Sequence, residues 1–481
     1  MTDVPDQAMG QAAARGGIWG LAAEGSTRAS QSVCFFVLAG VLSPAQFGAA
    51  AVAFVAVQVA NSVTYAGLGA AVQVLGADVR RDRTAVTLAL LGGLVGALVL
   101  FALAVPLCDL LGTPEATNLV RLISLALPLA QTSEVLSALL DREMRFQTTS
   151  LVVIIASVSS AVVGLTLAFS DVGPVALVAQ GVVQPGLRLV LVAAARPAAL
   201  RPALHRAETA ELWATGKDLL VGQVFFTASA NVDNVVVSSV AGPAALGGYG
   251  FVYNLTALPY YLVGLAVGRV ALPVYANLRA RQASLLSAFQ TTLETTAWLA
   301  ALPLGFLAVA GPHALVVLFG HKWDPVGHAL QLLALSGWLR TVETTSGSLL
   351  VAVGQQAVMR RVQQLQLVAV VVLLVPLVQL DGPRGAAIAV LVSVAGGTSY
   401  SLTRAAHATA AKLLVVGRRL VETALGGAAG GTIGVIVLNV RDDGLGLVLA
   451  LAAATAVWFA VLAVLRPDTI LQGFSSVTGR G

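Results

Sequence analysis

Thr84-Ala85-Val86-Thr87-Leu88-Ala89-Leu90-Leu91-Gly92-Gly93-Leu94-Val95-Gly96-Ala97-Leu98-Val99-Leu100-Phe101-Ala102-Leu103-Ala104-Val105-Pro106-Leu107 runs without one charged side chain, directly after Arg80, Arg81 and Arg83. A bilayer hydrocarbon core about 30 Å thick is crossed by about 20 apolar helical residues. The run is therefore long enough to span. It is about twice the length of a barrel strand, and lipid leaves no partner for a backbone group unsatisfied within its own segment, so the span is a helix.

The rest of the chain repeats this pattern. Of 481 residues 57% are hydrophobic and 11% charged, against about 25% charged in a soluble domain. Too little polar surface remains to coat a water-soluble globule. Fourteen stretches read as spans: Ile18 to Val41, Phe47 to Gly69, Thr84 to Leu107, Leu119 to Leu140, Ser150 to Phe169, Val175 to Ala195, Leu219 to Val240, Tyr249 to Leu272, Leu286 to Ala310, Val326 to Val353, Val362 to Leu380, Gly385 to Leu402, Val421 to Val440 and Leu445 to Leu465. The fold class is all-α, a polytopic membrane protein.

The formal charge of +5 belongs to scattered Lys and Arg, not to basic clusters interleaved with aromatics, so nucleic acid is not an expected partner. With the N-terminus inside, twenty of the 28 Lys and Arg residues fall in cytoplasmic loops and ends. Four (Arg121, Lys322, Arg384, Arg441) fall on the other side, and four (Arg28, Arg188, Arg269, Arg340) lie within spans. Short cytoplasmic loops retain positive charge. Both termini are expected in the cytoplasm. The first sixteen residues show neither a basic n-region nor a cleavage pattern, so no cleaved signal is expected. Cys34 and Cys108 sit in or beside apolar runs and read as packing residues.

Leu42-Ser43-Pro44-Ala45-Gln46-Phe47-Gly48, after the first span, reappears as Ala241-Gly242-Pro243-Ala244-Ala245-Leu246-Gly247 after the seventh. Leu110-Leu111-Gly112 and Leu125-Ala126-Leu127 are echoed by Leu318-Phe319-Gly320 and Leu333-Ala334-Leu335. Copies six spans apart enter the membrane in the same direction, so the repeat is parallel. This predicts an N-terminal tail over 1–16, a six-helix lobe over 17–212, a second over 213–412, and two further helices and a tail over 413–481. Pseudo-symmetric lobes of this kind suit a rocking transporter.

Leu139-Leu140-Asp141-Arg142-Glu143-Met144-Arg145-Phe146, Asn231-Val232-Asp233-Asn234 with Gly242-Pro243-Ala244-Ala245-Leu246-Gly247-Gly248-Tyr249, and Phe319-Gly320-His321-Lys322-Trp323-Asp324-Pro325 resemble motifs of the polysaccharide-exporter branch of the multidrug/oligosaccharidyl-lipid/polysaccharide superfamily. The likeness runs from Trp19 to about Gly354. It implies alternating access and a polyprenyl-diphosphate-linked glycan as cargo in a bacterial cytoplasmic membrane. Related flippases place cavity arginines on the first and eighth helices, which Arg28 and Arg269 match in rough position.

Charges inside spans cost roughly 2.5 to 3.5 kcal/mol each at mid-membrane, so each needs a partner or a purpose. Glu24 and Arg28 stand i, i+4 on the first helix, either a self-satisfied pair or a guanidinium held for a diphosphate. Arg340 and Glu343 stand i, i+3 on the tenth, either cargo-facing or, for Arg340, bridged to Glu134 of the fourth. Arg269 reads as a diphosphate ligand or as snorkelling. Asp233 and Glu294 read as ion-coupling carboxylates or structural pairs.

Gln58, Asn61 and Tyr65 form one helical stripe and Thr227, Asn231, Asn234 and Ser238 another. Such stripes line a path for a glycan, whose hydroxyls need partners, or bond helix to helix. No metal site and no cofactor are expected, and no loop of the G-x-x-x-x-G-K-[ST] type is present for ATP. The readings in order are a lipid-linked oligosaccharide flippase, then a cation-coupled multidrug antiporter of the same superfamily. A glycosyltransferase or polymerase enzyme would require a large catalytic loop, which the spans leave no room for; such enzymes enter instead as partners supplying and consuming the glycan.

Overall fold

The computed structural model describes residues 4–64, 67–170 and 172–465; Tyr65 lies outside them, as do some side chains within helices, Arg269 among these. Among the described residues the regular structure is helical throughout. Nine helical segments among these described residues are long and apolar enough to cross a membrane. They include Val79–Leu110, which contains the run quoted above.

The chain forms two compact units, Met1–Gly247 and Gly248–Gly481. The first holds α1 (Val4–Val41), α2 (Pro44–Thr64), α3 (Leu68–Val74), α4 (Val79–Leu110), α5 (Thr117–Ser124), α6 (Ala126–Arg142), α7 (Phe146–Ala168), α8 (Val175–Ala195) and α9 (Arg206–Ala241). Asp78 caps α4, accepting from the amides of Arg80 and Arg81 at 2.7 and 2.9 Å. Helices α1 and α7, α4 and α6, and α7 and α8 pack against one another. Small residues permit the closest approaches: a Cβ on Gly93 would lie 2.8 Å from the Pro128 nitrogen. Gly48 and Gly247 meet the backbones of Pro243 and Pro44 in the same way, so the two Pro-led turns of the repeat touch.

Helix α9, the seventh predicted span, packs within the first unit against α2 and α4. Its polar stripe finds acceptors there, as described below.

The second unit contains most of α10 (Pro243–Pro259), a π-helical turn at Tyr260–Leu265, α11 (Ala266–Ala280), α12 (Leu285–Val309), α13 (Gly311–Phe319), α14 (Gly327–Ala352), α15 (Gln356–Thr409), α16 (Leu413–Val440) and α17 (Gly444–Leu465). Left-handed backbone recurs at matched turns of the two units: Gly112 at φ 67° and Gly320 at 86°, Met144 at 59° and Gly354 at 80°. The eleventh and twelfth predicted spans both lie in α15. Its helical geometry breaks at Asp381 and Gly382 (φ 50°). A straight helix would hold residues 366 and 397 about 46 Å apart at 1.5 Å per residue, yet a Cβ on Gly397 would meet the side chain of Gln366. The segment is therefore a tight helical hairpin.

Helices α16 and α17, beyond the repeat, pack on the second unit through α12. The Cβ that Gly305 lacks would fall 2.5 Å from the Gly427 Cα, and Trp298 and Trp458 meet edge to face at 5.9 Å.

Candidate functional site: a polar cavity among the spans of the first unit

Polar residues from α1, α2, α6 and α8 converge on a cavity of about 590 Å³ within the first unit. Glu24 and Thr27 reach it from α1, Gln58 and Asn61 from α2, Ser133, Glu134 and Asp141 from α6, and Gln184 and Arg188 from α8. Pro185, inside α8, cannot donate to the preceding turn. Phe54, Ile123 and Leu127 supply apolar wall.

Two hydrogen-bonded groups organise the lining. Thr27 and Ser157 join hydroxyl to hydroxyl at 2.9 Å, and the Gln184 amide donates to Ser157 Oγ at 3.1 Å. This chain ties α1, α7 and α8 along one wall. One turn along α8, Arg188 Nη2 donates to Ser137 Oγ at 3.1 Å while its Nη1 stands 3.8 Å from Glu134 Oε1. Arg188 Nε and Asn61 Oδ1 are buried without hydrogen-bond partners.

Glu24 and Arg28 form the i, i+4 pair expected, Nε to Oε1 at 2.9 Å, with Glu24 lining the cavity and the Arg28 side chain 43% exposed. Glu134 has Arg188 beside it, a neighbour not foreseen from the sequence.

The two uncharged stripes meet. Asn231 donates to Gln58 Oε1 at 3.4 Å and to the Thr227 carbonyl at 2.9 Å, and Asn234 donates to Asn231 Oδ1 at 3.5 Å. Ser238 donates to the Leu111 carbonyl at 3.1 Å. Gln58 and Asn61 thus belong both to the cavity and, for Gln58, to the contact with α9. Asp233 is buried and accepts from the Asn234 amide at 2.9 Å.

At one end of the same helices lies an ionic network centred on Asp82. Asp82, 5% exposed, accepts from Arg142 at 2.7 Å and Arg196 at 3.0 Å, and Arg196 also pairs with Glu143 at 2.9 Å. Arg142 donates further to the Val72 carbonyl at 3.0 Å. The Asp-Arg-Glu motif at 141–143 thereby fastens α6 to α3, α4 and α8.

In the second unit Glu343 accepts from Gln366 at 2.7 Å and Thr398 at 3.2 Å, both on α15. Arg340, one turn before it, acts on the same carboxylate electrostatically. Glu294 of α12 pairs with Arg419 of α16. That contact joins the appended helices to the repeat.

Arg188 and Gln184 line the cavity, and sequence reasoning alone does not single them out as site residues. Arg188 has apolar neighbours at Leu187 and Leu189 and no acidic residue within a helical turn. An intramembrane arginine lacking a local counter-ion is itself a signal that the partner comes from another helix or from a ligand.

Residues 37–327 match the family described as polysaccharide biosynthesis protein. The chain belongs to that family. It is 32% identical over 71% of its length to the succinoglycan biosynthesis transport protein ExoT of Rhizobium meliloti (strain 1021), covering 69% of that protein. It is 25% identical over 66% of its length to the lipopolysaccharide biosynthesis protein WzxC of Escherichia coli (strain K12), covering 65% of that protein. Among solved structures, the lipid II flippase MurJ in an inward closed conformation superposes with a TM-score of 0.72 at 13% identity, over 94% of this chain and 99% of MurJ. An inward-facing multidrug resistance MATE family transporter of the MOP superfamily gives 0.60 at 14% identity, over 79% and 95%. At these identities the structural likeness speaks for the fold. This polysaccharide biosynthesis protein is thus a multi-pass membrane protein with the fold of MOP superfamily transporters, as its motifs led one to expect.

Proposed function

We propose that this protein is a flippase that carries a polyprenyl-diphosphate-linked oligosaccharide from the inner to the outer face of the bacterial cytoplasmic membrane by alternating access, with both termini in the cytoplasm. The observation that carries the reading is the cavity itself. Amides, hydroxyls, one guanidinium (Arg188) and the carboxylates of Glu24, Glu134 and Asp141 gather among spanning helices, where each costs energy unless something uses it. A sugar chain offers many donors and acceptors to such a lining, and the polyprenyl tail stays in lipid throughout. No covalent step is involved.

In this reading Gln58 and Asn61 serve the glycan path, with Tyr65, Thr227, Asn231, Asn234 and Ser238 along the adjoining stripe. Arg28, Arg340 and Arg269 receive the diphosphate, and Glu24 and Glu343 hold the arginines nearest them. Glu134, Asp233 and Glu294 remain as carboxylates for structural support or ion coupling, and the Arg419 contact of Glu294 favours support. Glycosyltransferases supply the cargo and a polymerase consumes it. The succinoglycan and lipopolysaccharide roles in the names of its relatives agree with this class of cargo.

Deleting the gene is expected to trap lipid-linked glycan in the cytoplasmic leaflet and remove surface polysaccharide, with restoration by the intact chain. Arg28→Ala and Arg340→Ala should abolish that restoration at normal protein levels. Normal surface glycan in the deletion strain would refute the function; normal export by both variants would refute these site roles alone.

A further inference from the structure

We infer that Arg188, with Glu134 as a displaceable counter-ion, is an oxyanion-binding subsite in the wall of the first unit's cavity. The inference rests on the flippase reading for its physiological ligand. Its geometry stands separately.

Comparison with other arginines of the same unit makes the case. Arg142 is closed by Asp82 at 2.7 Å and the Val72 carbonyl at 3.0 Å. Arg196 donates to Asp82 at 3.0 Å and forms an ion pair with Glu143 at 2.9 Å. Arg81 donates to Glu211 at 2.7 Å and to the Gly76 carbonyl at 2.8 Å. The bonds of Arg142 to Asp82 and of Arg81 to Glu211, both 2.7 Å, have the length of charge-assisted hydrogen bonds, which for N–H to carboxylate run at about 2.7–2.9 Å. Arg188 has one neutral hydrogen bond, to Ser137; of the two carboxylates near it, Glu134 stands off at 3.8 Å and Asp141, which lines the same cavity, acts on it electrostatically. Its Nε is buried without a partner.

A guanidinium carries five donors in a planar fork that matches two oxygens of a phosphate or carboxylate. Leaving most of them unmatched inside a lipid-embedded unit is costly unless a ligand completes the set. Glu134 is 41% exposed and too distant to hydrogen-bond, so an incoming oxyanion displaces no formed bond. It balances the charge of Arg188 between cargoes and leaves the fork open. The adjoining Gln184 and Thr27, held by the buried Ser157 behind them, present amide and hydroxyl groups to whatever carbohydrate is attached. The ligand class is therefore an oxyanion on a polyhydroxylated molecule, borne either by the diphosphate or by an acidic sugar.

The test uses the full chain in nanodiscs, with binding measured for inorganic pyrophosphate, undecaprenyl diphosphate and galacturonate. Arg188→Gln is expected to weaken at least one of these about tenfold or more, as loss of charge-assisted hydrogen bonds would. Arg188→Lys, which keeps the charge without the fork, should fall between. Glu134→Gln should tighten the same ligand severalfold. Response to both diphosphates assigns the subsite to the carrier, and response to galacturonate alone assigns it to the sugar. Each variant is checked for a monodisperse elution profile and an unchanged melting temperature.

Binding of all three probes unaffected by Arg188→Gln would overturn the subsite, as would Glu134→Gln weakening binding alongside it, the mark of a structural pair. Should the deletion strain display normal surface glycan, the flippase reading falls while these binding measurements still decide the subsite.

Discussion

The side-chain amide of Asn231 on α9 donates to the side-chain carbonyl of Gln58 on α2 at 3.4 Å, placing the stripe of the seventh predicted span against that of the second inside one unit. Interhelical hydrogen bonds in membranes contribute only about 0.6 kcal/mol on average. The pair is a weak fastener. Replacing Gln58 by Leu, which keeps the volume and removes the polar group from the cavity wall, is expected to shift thermal stability by no more than about 1 kcal/mol while lowering glycan export. Melting curves in detergent alongside surface polysaccharide measurements check this; a large stability loss with full export in the surviving protein would reverse the assignment.

Asp82, itself buried, answers two half-buried arginines at once. Removing the acid leaves two cations without compensation, a loss of about 3 to 5 kcal/mol for a buried pair broken from one side. Asp82→Ala should therefore depress the melting temperature strongly and cut accumulation in the membrane. Asp82→Asn, which keeps two polar partners, should do less. Equal stability of the two variants and the parent would show the network to be dispensable.

Gly48 and Gly247 approach the backbones of Pro243 and Pro44 with no room for a methyl group. Backbone cannot yield as a flexible side chain does. Gly48→Ala and Gly247→Ala are each expected to prevent folding of the first unit, scored as loss of monodisperse protein on extraction. Gly250, whose added Cβ would meet nothing within 4 Å, supplies the control: Gly250→Ala should extract like the parent.

The contact between Glu294 and Arg419 predicts non-additivity. Glu294→Gln and Arg419→Gln should each destabilise, and the double variant should cost less than the sum, with a coupling of about 0.5 to 3 kcal/mol for residues in contact. If Glu294 instead couples transport to an ion, Glu294→Gln alone will stop export without a stability change. Export and melting temperature measured on the same preparations separate the two.

What the sequence determined by itself is what depends on local composition and spacing. Uncharged runs such as Thr84 to Leu107 specify helices because lipid offers no other way to satisfy a backbone, and the Pro-led turns at Pro44 and Pro243 mark the repeat because their residues recur in order. Glu24 and Arg28 were legible for the same reason, since i, i+4 spacing alone brings them together. Which charges pair across helices was decided only by the tertiary structure. Arg188 meets Glu134, Glu294 meets Arg419, and α9 joins the first unit through Asn231, contacts spanning many residues of chain and fixed by which helix faces pack. Helical periodicity states which residues share a face, but the partner of that face depends on the packing of the whole bundle, where small residues such as Gly93 let particular backbones close on one another.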